Sequence, residues 1–139
     1  MGRLMHVVRR TRGSEQGQAA VEFALVLPIL MLFLFGTIEF GNAFWTYQQV
    51  SAAASEGARK AAVSRSSPTR TADIQGAIQA ASPSLKPAAL TVTSTSTWAP
   101  AAPVTVKVAY KMDSIGMGLL QTFGFNGTLT STRTARVEQ

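Results

Sequence analysis

FALVLPILMLFLFGTI, residues 23–38, runs sixteen residues without a charge and is closed at each end by a carboxylate, Glu22 before it and Glu39 after it. With the small and apolar flanks 19–21 and 40–43 it reaches membrane-spanning length, since about 20 residues at 1.5 Å each cover a hydrocarbon core of roughly 30 Å. Lipid offers no partner for a backbone N–H or C=O, so a single crossing segment has to be a helix. An acidic side chain at the centre of such a helix costs roughly 2.5 to 3.5 kcal/mol. Glu22 and Glu39, seventeen residues apart, would stand about 25 Å apart along a helix and so near opposite faces of one bilayer.

The composition agrees with a membrane protein. Of the 139 residues 46% are hydrophobic and 14% charged, against about 25% charged in a usual soluble domain, and the length leaves room for one small domain beside the span. The net charge of +6 raises the possibility of nucleic acid. Its distribution speaks against that partner. Arg3, Arg9, Arg10 and Arg12 stand against Glu15 in the first seventeen residues, and the remaining positive charge is scattered, with no basic helix and no basic-aromatic face. There is no cysteine, and the only histidine is His6 in the basic leader. One histidine without clustered carboxylates supports neither a catalytic triad nor a metal site, so no cofactor, no metal and no enzymatic activity are expected.

Residues 1–17 read as a basic cytoplasmic leader, because the positive-inside rule holds its four arginines in the cytoplasm and places the C-terminal part outside. Phe44, Trp45 and Tyr47 mark the outer interface, where amphipathic rings sit at headgroup level; the alternative is that they are core aromatics of the domain. Alanine-rich, proline-free sequence then continues the helix to Val63, with Val50, Ala54, Gly57 and Ala61 on one face. An unbroken helix over 18–63 would be roughly 70 Å long.

SRSSPTR, residues 64–70, reads as a linker. In the head, residues 71–139, TADIQGAIQAASP predicts a short helix with Thr71 as cap, Ile74, Ala77, Ile78 and Ala81 on one face, and Pro83 as terminator. VTVKVAYKM, residues 104–112, alternates Val104, Val106, Val108, Tyr110 and Met112 against Thr105, Lys107, Ala109 and Lys111, which is a half-buried strand. Threonine-rich segments 89–98 and 128–137 predict its two partners, with APAAP as one turn and Asn126-Gly127 as another. Asn126-Gly127-Thr128 also matches a glycosylation sequon, and the turn is the preferred reading. Ile115, Leu119, Leu120 and Phe123 between the strands either close the small core or dock on a partner. The expected class is α+β: one long membrane-spanning helix, then a small domain of one short helix and about three antiparallel strands.

A basic leader, Gly17, and a glutamate fifth from Gln18 resemble the processing site of type IV pilin precursors, in which a membrane peptidase cuts after the glycine. More narrowly, AVEFALVLP, the following IEFG and the later EGAR, residues 56–59, look like the TadE-like family of pilus-assembly proteins, over roughly residues 13–63. The resemblance implies a minor pilin or pseudopilin of a tight-adherence pilus. Its partners would be the lipid bilayer, a prepilin peptidase acting at Gly17, Gln18 and Glu22, other pilin-like subunits and the pilus assembly machinery. Gln18 departs from type IV pilins, where phenylalanine is common.

Cleavage after Gly17 would create an α-amino group at Gln18, cationic near neutral pH on its model value of about 7.7 to 8.0. That cation lies one turn before Glu22, within about 6 Å along the axis, and would offset the cost of taking the carboxylate into a helix bundle. Pro28 leaves the carbonyl of Ala24 without its donor and should bend or loosen the helix. Glu39 reads either as a residue of the outer interface or as a pairing partner. Small residues around Gly57 would let helices approach closely in a bundle, or let this helix lie on its own domain. Two other classes stay open: a permanently anchored single-span scaffold of a secretion or pilus machinery, and a secreted protein whose signal peptide ends near residues 52–54.

Overall fold

The computed structural model describes residues 12–112, 122 and 124–138, with side-chain surroundings from Gly17 onward. The elements in order are α1 (Arg12–Val63), α2 (Arg70–Ala81), a 3-10 turn (Pro87–Ala89), β1 (Leu90–Thr95), β2 (Pro103–Lys111) and β3 (Thr128–Arg136). The α+β expectation holds. Ile115, Leu119, Leu120 and Phe123 lie outside the described residues.

The chain falls into two compact units, one ending at Thr37 and one starting at Ile38. Among the described residues the first is helix alone. Its apolar side chains are open, Leu25 and Phe33 among them at 69% and 67% exposure. A soluble protein does not leave such a surface uncovered. Among the described residues this is the one helix long and apolar enough to cross a membrane, with a mean hydropathy of 2.3 over its best window and none of that window buried in the protein. The helix already includes Arg12, the first described residue, and so takes in residues before Gln18. Glu15 and Gln16 are good helix formers, and they carry the helix through Gly17 against glycine's cost of about 1 kcal/mol.

The second unit packs a sheet and α2 on the C-terminal part of α1. β1 and β3 flank β2, both antiparallel to it, with Val92 opposite Val108 and Val108 opposite Ser131. The period-two reading of β2 is met in full: Val104, Val106, Val108, Tyr110 and Met112 are buried. Against them lie Val50, Ala53, Ala54, Ala58 and Ala61 of α1 and Ile74 and Ile78 of α2. Because α1 presents mostly alanine here, its backbone comes close to the other two layers. Pro103, with no N–H to donate, stands first in β2, where a strand tolerates it. The Asn126-Gly127 turn forms as expected: Gly127 takes φ 73°, which only glycine adopts freely, and Asn126 Oδ1 accepts from the Thr128 N–H at 3.0 Å.

The helix cap differs from the expectation. Thr69, not Thr71, precedes α2. Its carbonyl accepts from the Asp73 N–H at 2.9 Å, and its hydroxyl donates to Asp73 Oδ1 at 3.2 Å. Thr71 falls inside the helix because Arg70 is already recruited into it by the contacts described below. Pro83 ends α2 as expected, one residue after Ser82.

Candidate functional site

Gly17, Gln18 and Glu22 sit together on one exposed turn at the start of the apolar helix. Residues four apart meet on a helix surface, and the Gln18 side-chain amide donates to Glu22 Oε1 at 3.2 Å. The departure at position 18 therefore places a neutral donor on the carboxylate. A cation at the Gln18 backbone nitrogen would be a second donor group beside the same carboxylate. Nothing lies within 4 Å of where a Cβ on Gly17 would be, so no contact in the fold calls for glycine there. Gly36 and Gly41 are equally open. They lie in or beside the span, where a small residue lets a second helix approach.

Pro28 is inside α1 and exposed, so the Ala24 carbonyl lacks the N–H it would otherwise accept from. Thr37 Oγ1 donates back to the Phe33 carbonyl at 2.8 Å, which satisfies that hydroxyl without water. Phe44, Trp45 and Tyr47 are exposed at 56%, 66% and 43%, which rules out their alternative reading as core aromatics of the domain.

Glu39 is half-buried, on the same stripe of α1 as Ala43, Thr46 and Val50, the stripe that meets the head. Its Oε2 is inaccessible and has no hydrogen-bond partner among the described residues. Its place on that packing stripe was not visible from its flanking position in the apolar run.

The EGAR segment separates into two functions. Glu56 and Arg59 form an exposed ion pair, 2.5 Å between Glu56 Oε1 and Arg59 Nη2. The Arg59 hydrogen bond holds the Glu56 carboxyl below its ordinary range. Fully hydrated pairs of this kind contribute little. Gly57 and Ala58 are buried between the layers. A Cβ on Gly57 would come within 2.7 Å of Ile78 Cγ1, 2.8 Å of its Cδ1 and 3.3 Å of Val106 Cγ1. The small-residue face is thus occupied by the chain's own head, the second of the two uses that the sequence left open.

Arg70, which sequence reading assigned only to the linker, ties three pieces together. Its Nε donates to the Ser64 carbonyl at 2.9 Å and its Nη2 to the Arg65 carbonyl, both just past the end of α1, where helix carbonyls lack partners. Its guanidinium lies 4.1 Å from the centroid of Trp98. Trp98 has φ 55°, an unusual backbone for a bulky residue, so this contact holds a strained position. Nearby, the Asp73 carboxyl is drawn below its ordinary range, chiefly by the hydrogen bond from Ser67 at 2.7 Å. Replacing Arg70 with alanine should cost the head about 2 kcal/mol, from charged hydrogen bonds and a cation–π contact. In a thermal melt that corresponds to a drop of roughly 8 to 16 °C. Arg70→Lys should recover less than half, because one ammonium cannot serve two carbonyls and a ring face together. Melting of Arg70→Ala within a degree or two of the parent would contradict the assignment.

Among the described residues no three His, Asp or Glu side chains gather as a metal would need. The chain matches no curated protein and no solved structure. Residues 17–59, which include Gly17, Glu22, Pro28, Glu39 and the EGAR segment, match the family described as TadE-like protein.

Proposed function

We propose that this chain is a non-enzymatic, pilin-like subunit that takes part in assembling a tight-adherence pilus. In this reading α1 anchors it in the cytoplasmic membrane, with the leader inside and the head outside. The observation that carries the reading is the turn Gly17-Gln18-Glu22 at the foot of an uncovered apolar helix, inside the TadE-like segment.

Gly17 makes α1 easier to unwind at this turn, since glycine costs about 1 kcal/mol more than alanine in a helix. A peptidase needs an extended substrate. Cleavage there removes the leader arginines that hold the N-terminus in the cytoplasm and leaves a cationic amine on Gln18. The amine joins the Gln18 amide at the Glu22 carboxylate, or meets the carboxylate of a neighbouring subunit, and the acid can then enter a helix bundle at reduced cost. Pro28, one to two turns further on, weakens the helix where a subunit would bend on leaving the bilayer.

Mass spectrometry of the mature N-terminus tests this, in cells with and without the prepilin peptidase. A start at Gln18 that depends on the peptidase is expected. A start at Met1 in both strains would support a permanent anchor instead, and a start past Ala54 a secretory signal.

A further inference from the structure

The positive charge beyond the leader looks scattered in the sequence, yet the sheet gathers part of it. The residues of β1, β2 and β3 that point away from α1 and α2 include Lys107, Lys111 and Arg136, all exposed. Around them stand exposed or half-exposed threonines, three from β1, one from β2 and four from β3. Thr132 is opposite Lys107, and Thr105 and Thr134 are joined by a hydroxyl–hydroxyl hydrogen bond of 3.1 Å. Among the described residues this face carries no carboxylate and no aromatic ring. Arg133, the other cation of β3, leaves it altogether and reaches Ser51 of α1 at 2.8 Å.

The spacing follows from the register. Lys111 is four residues from Lys107, and Arg136 is opposite Pro103, four residues on the other side. At about 3.3 Å per residue the three cations form a row with steps of about 13 Å. We infer that this sheet face is a docking surface for an extended acidic polysaccharide. The inference rests on the extracytoplasmic placement of the head proposed above.

Charge complementarity selects a polyanion, and the wide spacing selects one with no more than one charge per sugar ring. Nucleic acid is a poor fit, because duplex DNA carries a charge about every 1.7 Å and single strands want aromatic platforms, which this face lacks. Each threonine offers a donor and an acceptor beside a methyl group. A sugar ring offers the same mixture of hydroxyls and C–H surface.

The test uses the full-length protein in nanodiscs of uncharged lipid, with polygalacturonate as the probe, neutral dextran as its control, and anionic vesicles as a competing class. Binding to polygalacturonate and not to dextran is expected, weakening as salt is raised. The combined variant Lys107→Ala, Lys111→Ala, Arg136→Ala should bind on the order of tenfold more weakly, since it removes three hydrated charge contacts. Arg59→Ala with Arg65→Ala, which removes cations elsewhere on the head, should stay within about twofold on the same reasoning. Near-UV circular dichroism of both variants should match the parent. Three results would each overturn the inference: no preference over dextran, an equal loss in the two variants, or tighter binding to the anionic vesicles. Because the binding experiment contains no pilus, its failure would leave the assembly reading untouched, and a Met1 N-terminus in cells would leave the binding surface untouched.

Discussion

Gly57→Leu should strongly destabilise the head while leaving the apolar helix in the membrane. The substitution adds a branched side chain where even a Cβ would lie 2.7 Å from Ile78 Cγ1 and 3.3 Å from Val106 Cγ1. Both neighbours belong to the core, Ile78 being 1% exposed and Val106 fully buried. Overpacking of this kind costs about 1 to 3 kcal/mol and sometimes more, and a small domain has only about 5 to 15 kcal/mol in all. A loss near the top of that range would lower the melting temperature by about 12 °C or more. Gly57→Ala separates packing from helix propensity. Alanine gains about 1 kcal/mol as a helix former but still needs Ile78 to move, so a smaller net loss is expected. Near-UV circular dichroism during a thermal melt, with membrane fractionation alongside, reads both parts. A Gly57→Leu protein that melts with the parent would show that the layers are less closely packed than described.

Glu22→Ala should leave membrane insertion intact and cut incorporation into pili, or co-purification with other pilins, by at least about tenfold. The estimate follows from leaving the Gln18 amine without its carboxylate partner in the bundle, since removing one partner of a buried pair costs about 3 to 5 kcal/mol. Glu22→Gln is the sharper variant. If the carboxylate acts through its charge toward an amine, glutamine should behave like alanine. If its role is only the hydrogen bond with the Gln18 amide, which spans 3.2 Å, glutamine can keep that bond and assembly should persist. Quantitative immunoblotting of sheared pili against membrane fractions distinguishes the two. Full incorporation of Glu22→Ala would remove the electrostatic account of assembly.

Several features were legible in the chain because they are local or periodic. Sixteen uncharged residues between Glu22 and Glu39 fixed an apolar helix, since backbone satisfaction in lipid leaves little choice. Strict alternation over residues 104–112 fixed both faces of β2, because side chains in a strand repeat every two residues. Ile74, Ala77, Ile78 and Ala81 fixed the buried face of α2, and Asn126-Gly127 its turn. The nearness of Gln18 and Glu22 was legible too: they are four residues apart on one helix, where spacing alone brings them together.

Other features needed the tertiary structure, because they depend on which segments meet. Gly57 fits a helix bundle and a head equally well as sequence; only the approach of Ile78 and Val106 shows which surface fills it. Arg70 looked like linker until the end of α1 and Trp98 came within its reach. That Glu39 shares a stripe of α1 with Ala43, Thr46 and Val50 shows only once the head is packed on that helix. Lys107, Lys111 and Arg136, distant in sequence, become one row only through the register of β2 with β3. Sequence by itself determined the main elements and the faces that β2, α2 and the later part of α1 bury, since those follow from residue type and period; the tertiary structure decided what each face is buried against, because that depends on contacts between residues far apart in the chain.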